Sequence, residues 1–463
     1  MFVIPPILAM LAFIYIRPQE VWETMQVITF PIILGLGLLG YVLDLRLGVT
    51  RAPKISPFLA FGFVFFAWAL LTIGINAPDA LVLNITFFFG PIGLLFFISQ
   101  GVQTIRGFRF VSRTLLVVTL AIAVIAIHQG MRPEVCLIDN TGFGDAALPI
   151  VEGRPQMIPC KERMDCSEAI GYEQDYFCEH WGVMGTTSVE GRVRYRGVFQ
   201  DPNELAFAMS LSLPFAFGWF EGRRRRGRNW AGIAVVVVAL AICVTCNIMT
   251  RSRSGQISLI ATLGVYFLRR FRWRGGVLAA IVAMPVLLLG GRSAESSTQE
   301  RLECWAEALA LWREHPIFGA GARQFTAHHH LTAHNSVLLA LADMGPIGLL
   351  VFTCVIYMAF KITLQVQNDF AGRPDAAEVR GVAFATLAGM VGLVSSALFL
   401  SLTYHVALWI EVGLVGAVQS IVWRHEPNWR LRWRWRDVGY VIVMDVLLIV
   451  AIAIYLRAKG YEA

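Results

Sequence analysis

Residues 223–274 read RRRRGRNWAGIAVVVVALAICVTCNIMTRSRSGQISLIATLGVYFLRRFRWR. Two apolar runs, near 229–249 and 255–268, are parted by a short polar break, TRSRSG at Thr250–Gly255. Arginines flank them on the outside: Arg223, Arg224, Arg225, Arg226 and Arg228 before, and the tract from Arg269 to Arg274 after. A helix needs about 20 apolar residues to cross a bilayer, and loops rich in arginine stay on the cytoplasmic side during insertion. The stretch therefore reads as two spans joined by a turn on the exported side.

Working outward, the same alternation covers the chain. Predominantly apolar stretches lie near 3–16, 27–44, 55–74, 80–100, 112–130, 198–220, 229–249, 255–268, 275–290, 335–360, 381–401, 406–423 and 438–456, with 3–16, 255–268 and 275–290 the shortest. Hydrophobic residues make up 56% of the 463 and charged residues 15%, which excludes an ordinary soluble domain. The expected fold is all-α, a polytopic bundle of about 12–13 transmembrane helices forming one membrane domain over residues 1–463. The first stretch runs into Arg17 and Pro18 without a small-residue cleavage pattern, so it is expected to be retained as a span.

Arg46, Arg51 and Lys54, then Arg106, Arg109 and Arg113, and the tract from Arg424 to Arg436 fall on the same side as the two runs above. That side is expected to be cytoplasmic, in a bacterial inner membrane. The formal net charge of +7 comes from these runs, which suit anionic lipid headgroups rather than nucleic acid. Two long loops, 131–197 and 291–334, fall on the exported side.

Cys136, Cys160, Cys166 and Cys178 all lie in the first exported loop, where an oxidising compartment joins them as two disulfides in one of three pairings. They lack the CxxC pairs of a zinc site. Cys243, Cys246 and Cys354 lie in spans and read as packing residues.

Polar chemistry gathers at four exported positions. In RVRYRGVFQDPNEL at 192–205, Arg192, Arg194 and Arg196 precede a helix start that Asp201, Pro202 and Glu204 mark as a capping box. Arg251 and Arg253 sit in the TRSRSG break, Arg251 as a snorkelling side chain and Arg253 at the mouth of the bundle. Between 298 and 313, Leu302, Trp305, Leu309 and Trp312 share one helical face, so an amphipathic helix led by Arg301 is expected to lie on the outer leaflet. Last comes HHHLTAHNS at 328–336, where His330 and His334 share a face if helical. No third ligand has metal-site spacing, so no metal is expected there. His334, followed by Asn335 at the head of a span, is placed as a general base.

Clustered guanidiniums beside an imidazole at a membrane face suit a diphosphate carried on a lipid, because arginine grips phosphate oxygens through bidentate, charge-assisted bonds. A glycan on a polyprenyl diphosphate brings an activated leaving group, so transfer requires no cofactor. No Asp-x-Asp pair, the usual metal-chelating element of nucleotide-sugar transferases, occurs in the chain.

These residues resemble the O-antigen ligase and polymerase superfamily of bacterial envelope glycan assembly. The likeness rests on Arg-x-Gly and Asp-Pro-Asn within Arg196–Asn203, Thr-x-Ser-Arg at Thr250–Arg253, and Arg301 with Trp305. It continues through His-Pro-Ile-Phe-Gly-x-Gly at His315–Gly321, His-Asn-Ser at His334–Ser336 and Gly-Pro-Ile-Gly at Gly345–Gly348. The resemblance implies a metal-independent membrane glycosyltransferase of lipopolysaccharide or polysaccharide biosynthesis that takes a glycan from undecaprenyl diphosphate. The acceptor is a lipid A core sugar, a further glycan unit or a protein hydroxyl.

By the family pattern His334 is catalytic and Arg196, Arg253 and Arg301 bind the diphosphate, with Arg194, His330 and Asn335 in secondary positions. The large exported segment before the sixth span favours a ligase over a polymerase, while the cysteine-bearing loop falls outside the pattern. A transporter of lipid-linked sugar is the rival class, and few ionisable residues at mid-depth count against it. A mere structural anchor leaves the arginine and histidine group without a role.

Overall fold

The computed structural model describes residues 1–139, 146–151, 153–170, 176–224, 230–289 and 294–461. Arg225, Arg226 and Arg228 of the predicted cationic run lie outside the described residues, as do parts of both long loops.

In chain order the helices are α1 (Ile4–Ile16), α2 (Pro18–Val21), α3 (Phe30–Arg46), α4 (Pro57–Asn76), α5 (Leu81–Phe96) and α6 (Ile105–Gly130). Then come α7 (Arg163–Ile170), α8 (Pro202–Arg224), α9 (Trp230–Met249), α10 (Arg253–Phe271), α11 (Trp273–Leu289) and α12 (Ala294–Glu314). The chain finishes with α13 (Phe325–His328), α14 (Ser336–Asp369), α15 (Ala377–Ala397), α16 (Val406–His425) and α17 (Trp435–Ala458). Every apolar stretch became a helix, since a chain in lipid must satisfy its backbone internally.

The polytopic helical bundle expected from the sequence is present. Among the described residues, eight helices are long and apolar enough to cross a membrane, namely α4, α5 with its flanking turns, α6, α9 and α14 to α17. The others are short, as α1, α3 and α11 are, or carry polar residues. In α10, Ser254, Gln256, Ser258 and Thr262 are all buried, facing protein rather than lipid. Ser258 Oγ donates to Gly392 O of α15 at 2.8 Å. α16 is the most enclosed span and α17 the least, with Ile442, Val443, Val446 and Leu447 of α17 exposed.

The helices alternate in direction, so the loops separate into two ends. At one end Arg51 bonds Trp423 O, Arg424 bonds Val49 O, Arg109 pairs with Glu378 and Arg373 with Glu426. This arginine end matches the positive side read from the sequence. At the other end Tyr195 Oη donates to Ile16 O, Arg192 to Thr250 O, and His334 N to Ser401 Oγ. The predicted site residues all belong to this polar-loop end.

The first long loop adds a small sheet to the otherwise all-α fold. β1 (Glu134–Asp139) pairs antiparallel with β2 (Ala146–Ala147) and with a later strand, while β3 (Ile150–Val151) and β4 (Arg154–Pro155) form a separate hairpin. That later strand, β5 (Tyr176–His180), sets Cys136 opposite Cys178. The bonds nevertheless run Cys136–Cys166 and Cys160–Cys178, because α7 carries Cys166 onto the sheet. Sulfurs of Cys136, Cys160 and Cys166 lie within 4.8 Å of one another. All three are oxidised, and a disulfide sulfur offers no thiolate to a metal.

α12 corrects one expectation. Its Leu302 and Leu309 are buried, and Trp305 and Trp312 pack against the main core, with α14 and α17 as its neighbours. The apolar face is turned onto the bundle rather than onto a leaflet. Cys304, Ala308 and Leu311 are buried as well and widen that face beyond the four residues read from the sequence.

Candidate functional site

The site is assembled from three segments that are distant in sequence. The first is 192–205 with 250–255. Arg192 Nε donates to Thr250 O at 2.9 Å and its Nη2 to Asn203 Oδ1 at 3.1 Å. Ser252 Oγ donates to the same Asn203 oxygen at 2.7 Å and accepts from Gly255 N at 3.1 Å, capping α10. Arg192 is thereby a buried strut tying the Asp-Pro-Asn turn to the Thr-x-Ser-Arg turn. Arg253 opens α10 just beyond that cap and is exposed.

Asp201 behaves as half of the predicted capping box. Its Oδ1 accepts from Asn203 N and Nδ2, both at 2.8 Å, and its carbonyl accepts from Glu204 N. The Glu204 carboxylate instead lies 4.0 Å from His405 Nε2, at the start of α16.

Arg194 and Arg196 differ in their surroundings. Arg194 Nε donates to Thr187 O at 3.0 Å and Nη2 to Thr187 Oγ1 at 3.2 Å, holding the end of the disulfide-bearing loop. Arg196 reaches towards α1 and α2, donating to Glu20 O at 3.2 Å and to Met184 O. Its Nε is buried with no partner among the described residues.

The second segment is the loop after α12, and its glycines have a definite task. α14 breaks at Gly345, where φ is +68°, and Pro346 has no N–H to give to Ala342 O. The freed carbonyls are satisfied from outside the helix: Ala320 N donates to Ala342 O and Gly321 N to Asp343 O, both at 2.9 Å, and Trp68 Nε1 to Met344 O at 2.9 Å. Gly319, at φ +67°, lies so close to this break that a Cβ would come 2.3 Å from Asp343 C. The Gly-x-Gly and Gly-Pro motifs are thus two halves of one backbone joint.

This joint fixes the loop that leads to His334. Asp343, fully buried, accepts from Arg323 N at 2.8 Å and Phe325 N at 3.0 Å. The Arg323 guanidinium lies 3.7 Å from the Phe87 ring centre and donates to Asn84 Oδ1 at 2.9 Å. Sequence reading missed Asp343 and Arg323. The available signal was an aspartate inside an apolar run two residues before Gly-Pro.

The third segment is the turn 398–403 between α15 and α16. His334 N donates to Ser401 Oγ at 3.0 Å, and Asn335 Nδ2 to Leu398 O at 3.2 Å. Ser336 Oγ donates to Leu400 O at 2.7 Å and accepts from Leu402 N at 2.8 Å. Every residue of His-Asn-Ser is stitched to that turn, and His334 uses its backbone N–H rather than its ring.

Asn335 is also the N-cap of α14, accepting from Val337 N and Leu338 N at 2.9 and 3.1 Å. Its amide is occupied by architecture. Residues 329–335 are not helical and His334 has φ +48°, so His330 and His334 do not share the helix face the sequence suggested. His330 is exposed and lies against the His329 ring, with centroids 4.4 Å apart.

Electrostatics bring His334 and Arg301 together. Burial lowers the His334 pKa below 6.5, and the nearby Arg301 charge lowers it further, while Asp201 and Glu300 act in the opposite sense. The imidazole is therefore neutral at pH 7, able to accept a proton, within the field of a guanidinium and of the aspartate that starts α8. His405, partly buried and also missed from sequence, is pushed down to about 4 by desolvation. Its Nε2 contacts Val198 O at 3.2 Å, so it braces the 192–205 segment. A cavity of about 770 Å³ at the arginine end shares no residue with this cluster.

Residues 238–353 match the family described as O-antigen ligase. The matched segment contains Thr250–Arg253, Arg301, His315–Gly321, His334–Ser336 and Gly345–Gly348, whereas Arg196 and Asp201–Asn203 precede it. The match supports placing the chain in the O-antigen ligase superfamily. No curated protein sequence matches the chain.

Proposed function

We propose that this protein is a glycosyltransferase of the O-antigen ligase superfamily that moves a glycan from a polyprenyl diphosphate, undecaprenyl diphosphate in bacteria, to an acceptor hydroxyl at the outer face of the inner membrane. The observation that carries the reading is a neutral imidazole, His334, held by its backbone beside Arg301 at the polar-loop end of a membrane bundle.

In this reading His334 accepts the proton of the acceptor hydroxyl as its oxygen bonds to the anomeric carbon. The bond from that carbon to the diphosphate oxygen breaks, and the electron pair leaves with the diphosphate. Arg301, with Arg253 and Arg196, stabilises the charge that develops there, work done elsewhere by a divalent cation. The ligase form of the reaction, with a lipid A core sugar as acceptor, is favoured by the folded, disulfide-linked segment placed just before Arg192, Arg194 and Arg196, which provides an exported surface for an acceptor unlike the donor.

The test is transfer from a polyprenyl-diphosphate glycan in proteoliposomes. His334→Ala should lose transfer while keeping the parental melting temperature, and near-normal turnover by the folded variant would remove the assignment. Supplying core oligosaccharide or a second lipid-linked repeat unit as acceptor separates ligase from polymerase.

A further inference from the structure

Arg17 joins α1 to α2, and nothing in the proposed reaction uses it. Its backbone lies in the left-handed region at φ +54°, where a non-glycine residue is uncommon and is held only by its surroundings. Gly197, the residue after Arg196, makes the room: a Cβ there would come 2.5 Å from Arg17 Nε and 2.7 Å from Arg17 Cζ. The Arg17 guanidinium therefore lies against the backbone that carries Arg196.

Both guanidiniums converge on Glu20. Arg17 Nη2 pairs with its carboxylate, and Arg196 Nη1 donates to its carbonyl at 3.2 Å. Burial raises the Tyr195 hydroxyl above its ordinary pKa, Arg196 and Arg17 pull it down and Glu20 pushes it up, so all three charges lie about that one hydroxyl. Tyr195 Oη donates to the carbonyl of Ile16, the last residue of α1, at 2.7 Å. Where an apolar helix gives out, a cation stands at the depth of lipid phosphates.

The hydrogen bonding of the pair is incomplete. Arg17 Nε and Arg196 Nε are both buried, and neither has a partner among the described residues. Only Nη2 of Arg17 meets an acceptor among them. A buried N–H without an acceptor is unfavourable, and phosphate oxygens have the spacing that fits a guanidinium fork. The Arg17 and Glu20 side chains are 29% and 31% exposed, so their ion pair is weakly held and a ligand anion can replace the carboxylate.

This corner connects to the His334 segment through short contacts. Val198 O contacts His405 Nε2 at 3.2 Å, and His405 N donates to Leu402 O at 2.9 Å. Ser401 of the same turn accepts from His334 N.

We infer that Arg17 is a further donor-binding residue, which with Arg196 holds oxygens of the polyprenyl diphosphate and is kept in place by Glu20 until that ligand arrives. The inference rests on the glycosyltransferase reading.

The test measures binding of a fluorescent polyprenyl diphosphate to the full chain in phosphatidylcholine nanodiscs. Arg17→Gln should weaken binding about tenfold at an unchanged melting temperature. Glu20→Gln removes the competing anion and should tighten binding about two- to fivefold, which a merely structural ion pair would not do. Arg132→Gln, at an exposed arginine outside this corner, should change nothing. Should Arg17→Gln fail to fold, Glu20→Gln decides.

Unchanged binding in folded Arg17→Gln, or binding by Glu20→Gln that does not tighten, overturns the inference and leaves the transfer reading standing. Equal weakening by Arg132→Gln reduces the effect to general surface charge and overturns it too. A parental chain that binds the diphosphate no better than phosphatidylglycerol refutes the donor reading itself, and the role of Arg17 with it.

Discussion

Arg301 and Arg192 are both arginines at the polar-loop end, yet the structure gives them different work, and replacing each with alanine separates the two roles. In the proposed reaction Arg301 acts through charge on a bound diphosphate and on His334. Losing one charge-assisted hydrogen bond to the leaving group costs about 1.5–3 kcal/mol, so Arg301→Ala should lower kcat/KM about 10- to 150-fold. It should also move the pH profile. On the proposed mechanism transfer needs neutral His334, so activity should fall as pH drops through the histidine pKa, which burial and then Arg301 hold below 6.5. Removing the guanidinium lifts that pKa, and the acidic limb should shift to higher pH.

Arg192→Ala, by contrast, strips the donor from Thr250 O and destabilises the fold by about 1–3 kcal/mol, while Asn203 Oδ1 keeps the hydroxyl of Ser252. Its melting temperature should fall while the limb stays in place. The assay is kcat/KM against pH in proteoliposomes, normalised to folded protein. Equal losses in the two variants, or an Arg301→Ala limb that does not move, would refute the reasoning.

Two further outcomes follow from the fold. Gly319→Ala or Gly345→Ala forces a side chain into a left-handed backbone and against the facing chain, costing about 1–3 kcal/mol from backbone strain alone and loosening the loop to His334. Gly264→Ala, with nothing within 4 Å of its Cβ position, should leave melting unchanged or slightly raised. Replacing both Cys136 and Cys166 with serine opens a crosslink spanning 30 residues, worth roughly 3–4 kcal/mol of chain entropy. The loss should appear as protease cleavage within 131–197 while the bundle melts as before, and unchanged protease resistance would count against a constraining role.

Much of this architecture was legible because lipid imposes strict local rules. Apolar runs had to become helices, and the arginine runs at alternate ends set the direction of each. Position within a motif was also readable: Asp201 does cap α8. Less legible was what those turns face. The pairing of His330 with His334 assumed a helix that begins only after Asn335, because the asparagine side chain caps α14 there. α12 was assigned to the membrane surface, since a one-faced helix reads the same whether its partner is lipid or protein. Asp343 and Arg323 passed unnoticed because their work is to brace a backbone joint whose halves are separated along the chain.

The amino-acid order by itself determined the helical elements, their alternation, the oxidation of Cys136, Cys160, Cys166 and Cys178 and the end at which polar groups collect. Each depends on the composition of one short segment and its solvent. Only the tertiary structure decided which cysteines pair, that α12 turns its apolar face inward, and that Arg301, Asp201 and His334 share one electrostatic neighbourhood while Arg192 is a strut. Those outcomes depend on how α8, α10, α12 and α14 pack, and side-chain proximity across separate helices is set by that packing rather than by any local run of residues.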